Sequence, residues 1–255
     1  MLGRFPSCNG TPEPRPSAGF PLDSDLWREH HMPQKVMSAG QPKQEVCMAR
    51  TVGDFFWQRL KDWGGSRVFG YPGDGINGLL GALQRREGDI EFIQVRHEEM
   101  AAFMAAAHAK FTGELGVCLV TSGPGASHLL TGLYDAKLDH VPVLAISGQQ
   151  ARTALGSHYQ QEFDLVSMFK DAAAFVQQAS LPSQVRHLID RAIRTAIAGR
   201  KVAALIFPND LQEAVYEDPP RAHGAVFSGA GFSYPRTLPW AEDLQSAADV
   251  RLPNQ

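Results

Sequence analysis

Cysteine is scarce in this 255-residue chain: Cys8, Cys47 and Cys118 are an odd number with no CxxC spacing. That pattern indicates neither a disulfide framework nor a zinc site, and it fits a reducing, cytoplasmic compartment. Long apolar runs are absent too; none approaches the roughly 18–20 residues that a membrane span needs, so no stable membrane insertion is expected. The start of the chain lacks the basic residues and hydrophobic stretch of a signal peptide. Neither sign of charge dominates, with 24 basic against 27 acidic residues. Nucleic acids and membrane surfaces attract proteins through concentrated positive charge, and no basic stripe is present, so neither is an expected partner. Proline is rare in mid-chain: of 17, seven fall in residues 1–47 and five beyond residue 218, leaving five between.

Those prolines outline the organisation. Residues 1–47 carry Pro12-Glu13-Pro14-Arg15-Pro16 and almost no periodic apolar pattern, so they are expected to form a disordered leader. Met48 is then the expected natural start. From Thr51 onward the pattern changes: Val52, Phe55, Phe56, Leu60 and Trp63 share a helical face, Thr51 and Asp54 are spaced as a capping pair, and Gly64-Gly65 ends the helix. Six short apolar runs follow, at 67–70, 90–95, 116–121, 143–147, 173–177 and 203–207, alternating with helical patterns. This alternation predicts an α/β fold, a three-layer sandwich around a six-stranded parallel sheet. The clearest helix starts at Ser183, where Val185, Leu188, Ile189, Ala192, Ile193, Ala196 and Ile197 make a core-facing stripe. Residues 48–218 thus form the expected domain, and 219–255 read as a linker and the truncated start of a further one.

In an open parallel sheet, ligands bind beyond the carboxyl ends of the strands. Three segments are expected there. Tyr71-Pro72-Gly73-Asp74-Gly75 is a glycine turn that permits close backbone approach. Its Gly-Asp-Gly resembles the opening of a magnesium diphosphate motif, but the Asn pair required further on is replaced by Met, Ala and Phe at 100–106, so no metal ligand is assigned. Arg96-His97-Glu98-Glu99 precedes an almost wholly apolar helix, where Glu98 is expected to be partly buried and shifted towards its neutral form, able to exchange a proton. Glu99 is assigned only to the helix dipole. Ser122-Gly123-Pro124-Gly125 is a second glycine turn. Ser122 with His128 suggests a nucleophile and base, but there is no GxSxG elbow and no carboxylate is placed for the histidine, which argues against a hydrolase. Neither GxGxxG nor a Walker loop is formed.

Taken in order, Val68-Phe69-Gly70-Tyr71-Pro72-Gly73, Arg96-His97-Glu98-Glu99, Thr121-Ser122-Gly123-Pro124-Gly125 and Asp139-His140-Val141-Pro142-Val143 resemble one family. It is the N-terminal, pyrimidine-binding domain of thiamine-diphosphate enzymes of the pyruvate oxidase and acetolactate synthase group, and the likeness runs from about Met48 to Pro219. The resemblance implies that Glu98 hydrogen-bonds N1′ of the cofactor's aminopyrimidine and promotes the imino tautomer that activates the thiazolium carbon. It implies that Tyr71, Pro72, Gly73, Asp74 and Gly75, with Ser122, Gly123, Pro124 and Gly125, wrap the pyrimidine ring. His128 matches a cofactor-side position that is His in pyruvate oxidases and usually Asn in acetolactate synthases. Gln161 matches a glutamine on the substrate side.

His128, Glu99 and Gly132-Leu133-Tyr134-Asp135 resemble the pyruvate oxidase branch, whose full-length members decarboxylate pyruvate and pass electrons to FAD. On this reading magnesium and FAD belong to domains outside the chain, and a partner chain or a homo-oligomer completes the enzyme. Helix 98–111 supports an oligomer, since its apolar composition exceeds one face. The alternatives are an acetolactate synthase-like component, or a non-catalytic remnant or interaction module.

Overall fold

The computed structural model describes residues 50–86, 88–219, 229–231 and 238–251. The expected leader at 1–47 and much of the expected linker lie outside these residues. Among them, helix α1 (Val52–Asp62) is closed at its start by a reciprocal pair: the Asp54 N–H donates to Thr51 Oγ1 at 3.1 Å and the Thr51 N–H to Asp54 Oδ2 at 3.0 Å. Gly64 ends it at φ 86°. Next come β1 (Arg67–Gly70), a 3-10 turn (Asp74–Ile76), α2 (Asn77–Gln84), β2 (Glu91–Gln94), α3 (Glu98–Thr112) and β3 (Gly116–Val120). The second half holds α4 (Pro124–His128), α5 (Leu130–Leu138), β4 (Val143–Gln149), α6 (Leu165–Phe169), β5 (Phe175–Gln178), α7 (Val185–Gly199), β6 (Val202–Pro208) and α8 (Asn209–Glu213). A last helix, α9 (Ala241–Arg251), occupies the region read as a linker.

All six expected strands form, and they pair in parallel in the order β2-β1-β3-β4-β6-β5. Strand alternation divides the interior in two. On one face Val117, Leu119, Leu144 and Ile146 pack with Phe56, Trp57, Leu60, Leu79, Ile189 and Ile193 from α1, α2 and α7. On the other, Cys118, Val120, Val143 and Ala145 meet Ala102, Ala105, Ala106, Leu129, Leu133 and Phe169 from α3, α5, α6 and the residue before α5. Burial of both faces explains why β3 and β4 read as continuous apolar runs. On the α1 side, Arg59 grips the fully buried Asp190 of α7 through Nε at 2.7 Å and Nη2 at 2.8 Å.

Strand β5 starts two residues later than its apolar run, because the Ala173 N–H donates to Phe169 O and closes α6. Helix α7 is likewise preceded by a 3-10 turn, Pro182–Gln184, rather than starting at Ser183. The expectation for α3 needs a correction: its alanines are not surplus surface. Ala101, Ala102, Ala105, Ala106 and Ala109 are all buried, leaving Met100 and Phe111 as its exposed large apolar residues. Small side chains let α3 approach so closely that a Cβ on Gly116 would lie 2.1 Å from Ala105 O, and one on Gly132 2.6 Å from Ala102 Cβ. Among the described residues no helix is long and apolar enough to cross a membrane.

Candidate functional site

The chain runs from β1 to an edge at β2 and then returns to the far side of β1 to place β3. This reversal makes the β1/β3 boundary the switch point of the sheet, the place where open parallel sheets bind ligands beyond the carboxyl ends of their strands. Both glycine turns lie there. A Cβ on Gly73 would meet Thr121 Cβ at 2.6 Å, and one on Gly75 would meet Thr121 Oγ1 at 2.8 Å. The Gly75 N–H donates to Thr121 Oγ1 at 3.0 Å as well as to Asp74 Oδ1 at 2.9 Å. Thr121 therefore locks one turn against the other. Buried Gln212 holds the first turn from behind, donating to Gly75 O at 2.8 Å while accepting the Leu79 N–H at 3.1 Å.

Glu98 opens α3 just beyond β2. Its side chain is 13% exposed, and a Cβ on Gly125 would lie 3.4 Å from its Oε1, so the second turn borders the carboxylate. His97 caps the helix: its Nδ1 accepts the Glu99 N–H at 3.3 Å. Glu99 is more exposed than Glu98, at 38% of its side chain. Tyr71 and Pro72 are exposed at the mouth, and Pro124 is the first residue of α4.

His128 corrects the sequence reading, which left it without a carboxylate. Glu98, thirty residues earlier, supplies one, with His128 Nδ1 at 2.9 Å from Glu98 Oε2. Ser122 is not its partner; the buried hydroxyl receives a hydrogen bond from Gln150 Nε2 at 3.2 Å. The imidazoles of His97 and His128 stack with centroids 4.6 Å apart.

Gln161 also reaches the site, although 33 residues separate it from His128. It sits at φ 60°, and its carbonyl oxygen would lie 2.5 Å from a Cβ on Gly123, itself at φ 58° and ψ -116°. Only glycine tolerates that approach and that backbone together. Gln161 Oε1 is buried and has no hydrogen-bond partner. Glu162 ties the same loop by accepting the N–H groups of Gly156 and Tyr159, and these bonds hold its carboxyl below the usual range.

Thr121, Gln150, Gln212 and His97 thus act in the site without having been assigned a role from sequence. Thr121 and His97 stand inside quoted motifs; Gln150 and Gln212 carry no local signal. The arrangement joins a sheltered carboxylate, two close-approach backbone turns and an unsatisfied amide oxygen, a set suited to a flat heterocycle bearing hydrogen-bond donors and acceptors.

Residues 50–168 match the family described as thiamine pyrophosphate enzyme, N-terminal TPP binding domain. The chain is 45% identical over 176 residues to a thiamine pyrophosphate-containing protein of Bacillus subtilis, covering 67% of this chain and 31% of that one. It is 44% identical over 152 residues to the pyruvate oxidase of Lactiplantibacillus plantarum, covering 60% and 25%. Against the acetolactate synthase of Arthrospira platensis it is 38% identical over 187 residues, covering 72% and 32%. The chain therefore spans about a quarter to a third of the length of these relatives. Through residues 50–168 it belongs to the thiamine pyrophosphate enzymes, as the TPP-binding N-terminal domain of their pyruvate oxidase and acetolactate synthase family.

Proposed function

We propose that this domain serves a pyruvate oxidase-like enzyme acting on a 2-oxo acid such as pyruvate, with Glu98 as the group that shares a proton with the cofactor's pyrimidine. The observation that carries the reading is the Glu98 carboxylate, sheltered at the first turn of α3 and bordered by Gly125. A carboxyl so placed can hold a proton against a ring nitrogen while water is kept back. The two glycine turns give a flat ring close access to backbone, and Gln161, whose Oε1 is buried without a hydrogen-bond partner, borders the second turn at Gly123. Thiamine diphosphate held there would supply a nucleophilic thiazolium carbon for chemistry at a 2-oxo acid carbonyl. His128 and Glu99 favour the oxidase branch, and the 44% identity to a pyruvate oxidase supports it. The acetolactate synthase reading rests on the 38% identity to that relative.

Asp74 of the Gly-Asp-Gly turn is engaged within the turn, its Oδ1 accepting from the Gly75 N–H and from Thr121 Oγ1 at 3.4 Å, and no magnesium is assigned to it. On this proposal the diphosphate, its magnesium and FAD are held by a further domain on another chain or by parts of the relatives that the matched region does not span. Pairing with such a chain or with a second copy, in the cytoplasm, belongs to the same proposal.

The test is exchange of the C2 proton of thiamine diphosphate with solvent deuterium, measured with this chain combined with one that carries a diphosphate-binding domain. Glu98→Gln should abolish the exchange and Glu99→Gln should leave most of it. Wild-type exchange rates in Glu98→Gln would overturn the role of Glu98, and robust pyruvate turnover by the chain alone would overturn the need for a partner.

A further inference from the structure

We propose that His97, Glu98 and His128 form a binding site for a divalent transition-metal ion of the zinc, cobalt or nickel kind, and that the ion keeps the cofactor's pyrimidine from Glu98. The second clause rests on the reading of Glu98 above; the first does not. One donor atom from each residue lies within 4.8 Å of the others. Bonds of about 2.0–2.2 Å in a tetrahedral site put donors roughly 3.3–3.5 Å apart. Glu98 Oε2 and His128 Nδ1, at 2.9 Å, are already near that spacing, so an ion would enter by spreading this pair slightly and drawing in the third ligand.

The third ligand, His97, must rearrange to bind. His97 accepts the Glu99 N–H on Nδ1, so its neutral ring carries the proton on Nε2; binding an ion through Nε2 moves that proton to Nδ1 and releases this 3.3 Å cap bond. Its ring stacks on that of His128, and because imidazole lone pairs lie in the ring plane the two rings must turn out of this stack to face one ion; both side chains are about half exposed, at 51% and 45%, which leaves them room to turn. Glu98 is the sheltered ligand and the two histidines form the solvent side.

Ligand chemistry selects the ion. Two imidazoles and one carboxylate leave a fourth position for water, an arrangement favoured by borderline metals. Magnesium and calcium prefer a shell of oxygens and find one carboxylate here. The positive end of α3 opposes a cation, and the charge of Glu98 at the same helix start offsets it. Because the carboxylate oxygens are shared, metal and pyrimidine would compete, and excess zinc would inhibit the assembled enzyme.

The experiment is a titration of the full chain with Co2+ in chelator-free buffer, read by the visible absorption of four-coordinate cobalt. One equivalent should develop the band, and added Zn2+ should bleach it. His128→Ala and His97→Asn should each weaken binding by at least about 10–100-fold, the loss that removing even a residue behind a metal ligand brings. Asn keeps the helix cap, so His97→Asn is a folded control, checked by circular dichroism. A band unchanged in both variants, as from the histidines of residues 1–49, would overturn the site, and so would the absence of a band. Thiamine, which has no diphosphate to chelate the metal, should displace cobalt competitively. If nuclear magnetic resonance shows thiamine bound while the band persists, exclusion is overturned and the metal site stands.

Discussion

Thr121 is the residue on which the two glycine turns depend, since the Cβ positions of Gly73, Gly75 and Gly125 would all fall within 2.9 Å of its side chain. Gly125→Ala would put a methyl group 2.7 Å from Thr121 Cγ2 and 3.4 Å from Glu98 Oε1. Misplacing a reacting group by about 1 Å can cost a hundredfold in rate. We expect Gly125→Ala to slow C2-proton exchange by about 10–100-fold in the assembled enzyme while the melting temperature moves little, as calorimetry would show. Gly123→Ala should behave in the opposite way. Its φ of 58° with ψ -116° is closed to alanine, and its methyl group would meet Gln161 O at 2.5 Å, so a loss of about 1–3 kcal/mol in urea unfolding is expected. The glycines and Glu98 were legible in the sequence because their needs are local: a strand end, a turn, a helix start. The pairing of His128 with Glu98 was not, since it joins residues that meet only once β3 lies beside β1. Gln212 was silent for the same reason, reaching Gly75 from 137 residues away.

Helices α1 and α7 were readable as elements because each carries an apolar stripe with a period near 3.6, and α1 also carries its cap. Helix α3 misled, because a row of alanines does not reveal whether it faces water or another backbone. The contacts of Gly116 with Ala105 and of Gly132 with Ala102 decide it. Ala102→Leu should therefore overpack the α3–α5 contact and cost at least about 1–3 kcal/mol by urea unfolding; a neutral result would mean that α3 can move outward. The cap of α1 has its own pH signature. Desolvation pushes the Asp54 carboxyl up, but hydrogen bonds from Thr51 and Arg85 outweigh it and hold the carboxyl below the ordinary aspartate value. A carboxyl lowered on folding adds stability above its unfolded pKa of about 3.9 and loses it as pH falls through the folded value. Thr51→Ala should cost about 1 kcal/mol at neutral pH. Asp54→Asn should flatten the loss of stability below about pH 4, and an unchanged acid limb would dismiss the cap as its source.

Across the whole molecule, the parallel sheet serves both stability and site. Its central strands separate two apolar cores, and its reversal between β1 and β3 brings Glu98 and both turns to one edge. The alternation of apolar runs and helical stripes made this architecture legible; the strand order was not, because the sequence does not state which parallel strand lies beside which. Strand β3 is buried along its full length, and Cys118 at its centre is fully enclosed. Burial pushes its thiol up to about 12, so near pH 8 only about one molecule in ten thousand would carry a thiolate even if a reagent could enter. Cys118 should react with iodoacetamide only when the sheet opens globally. Its labelling, followed by peptide mass spectrometry to separate it from Cys8 and Cys47, should rise with urea in step with unfolding measured by circular dichroism. A cofactor that binds the folded chain should slow it in proportion to its saturation. Labelling of native Cys118 as fast as that of an unfolded control would contradict the enclosed central strand, and with it the layered arrangement on which the site depends.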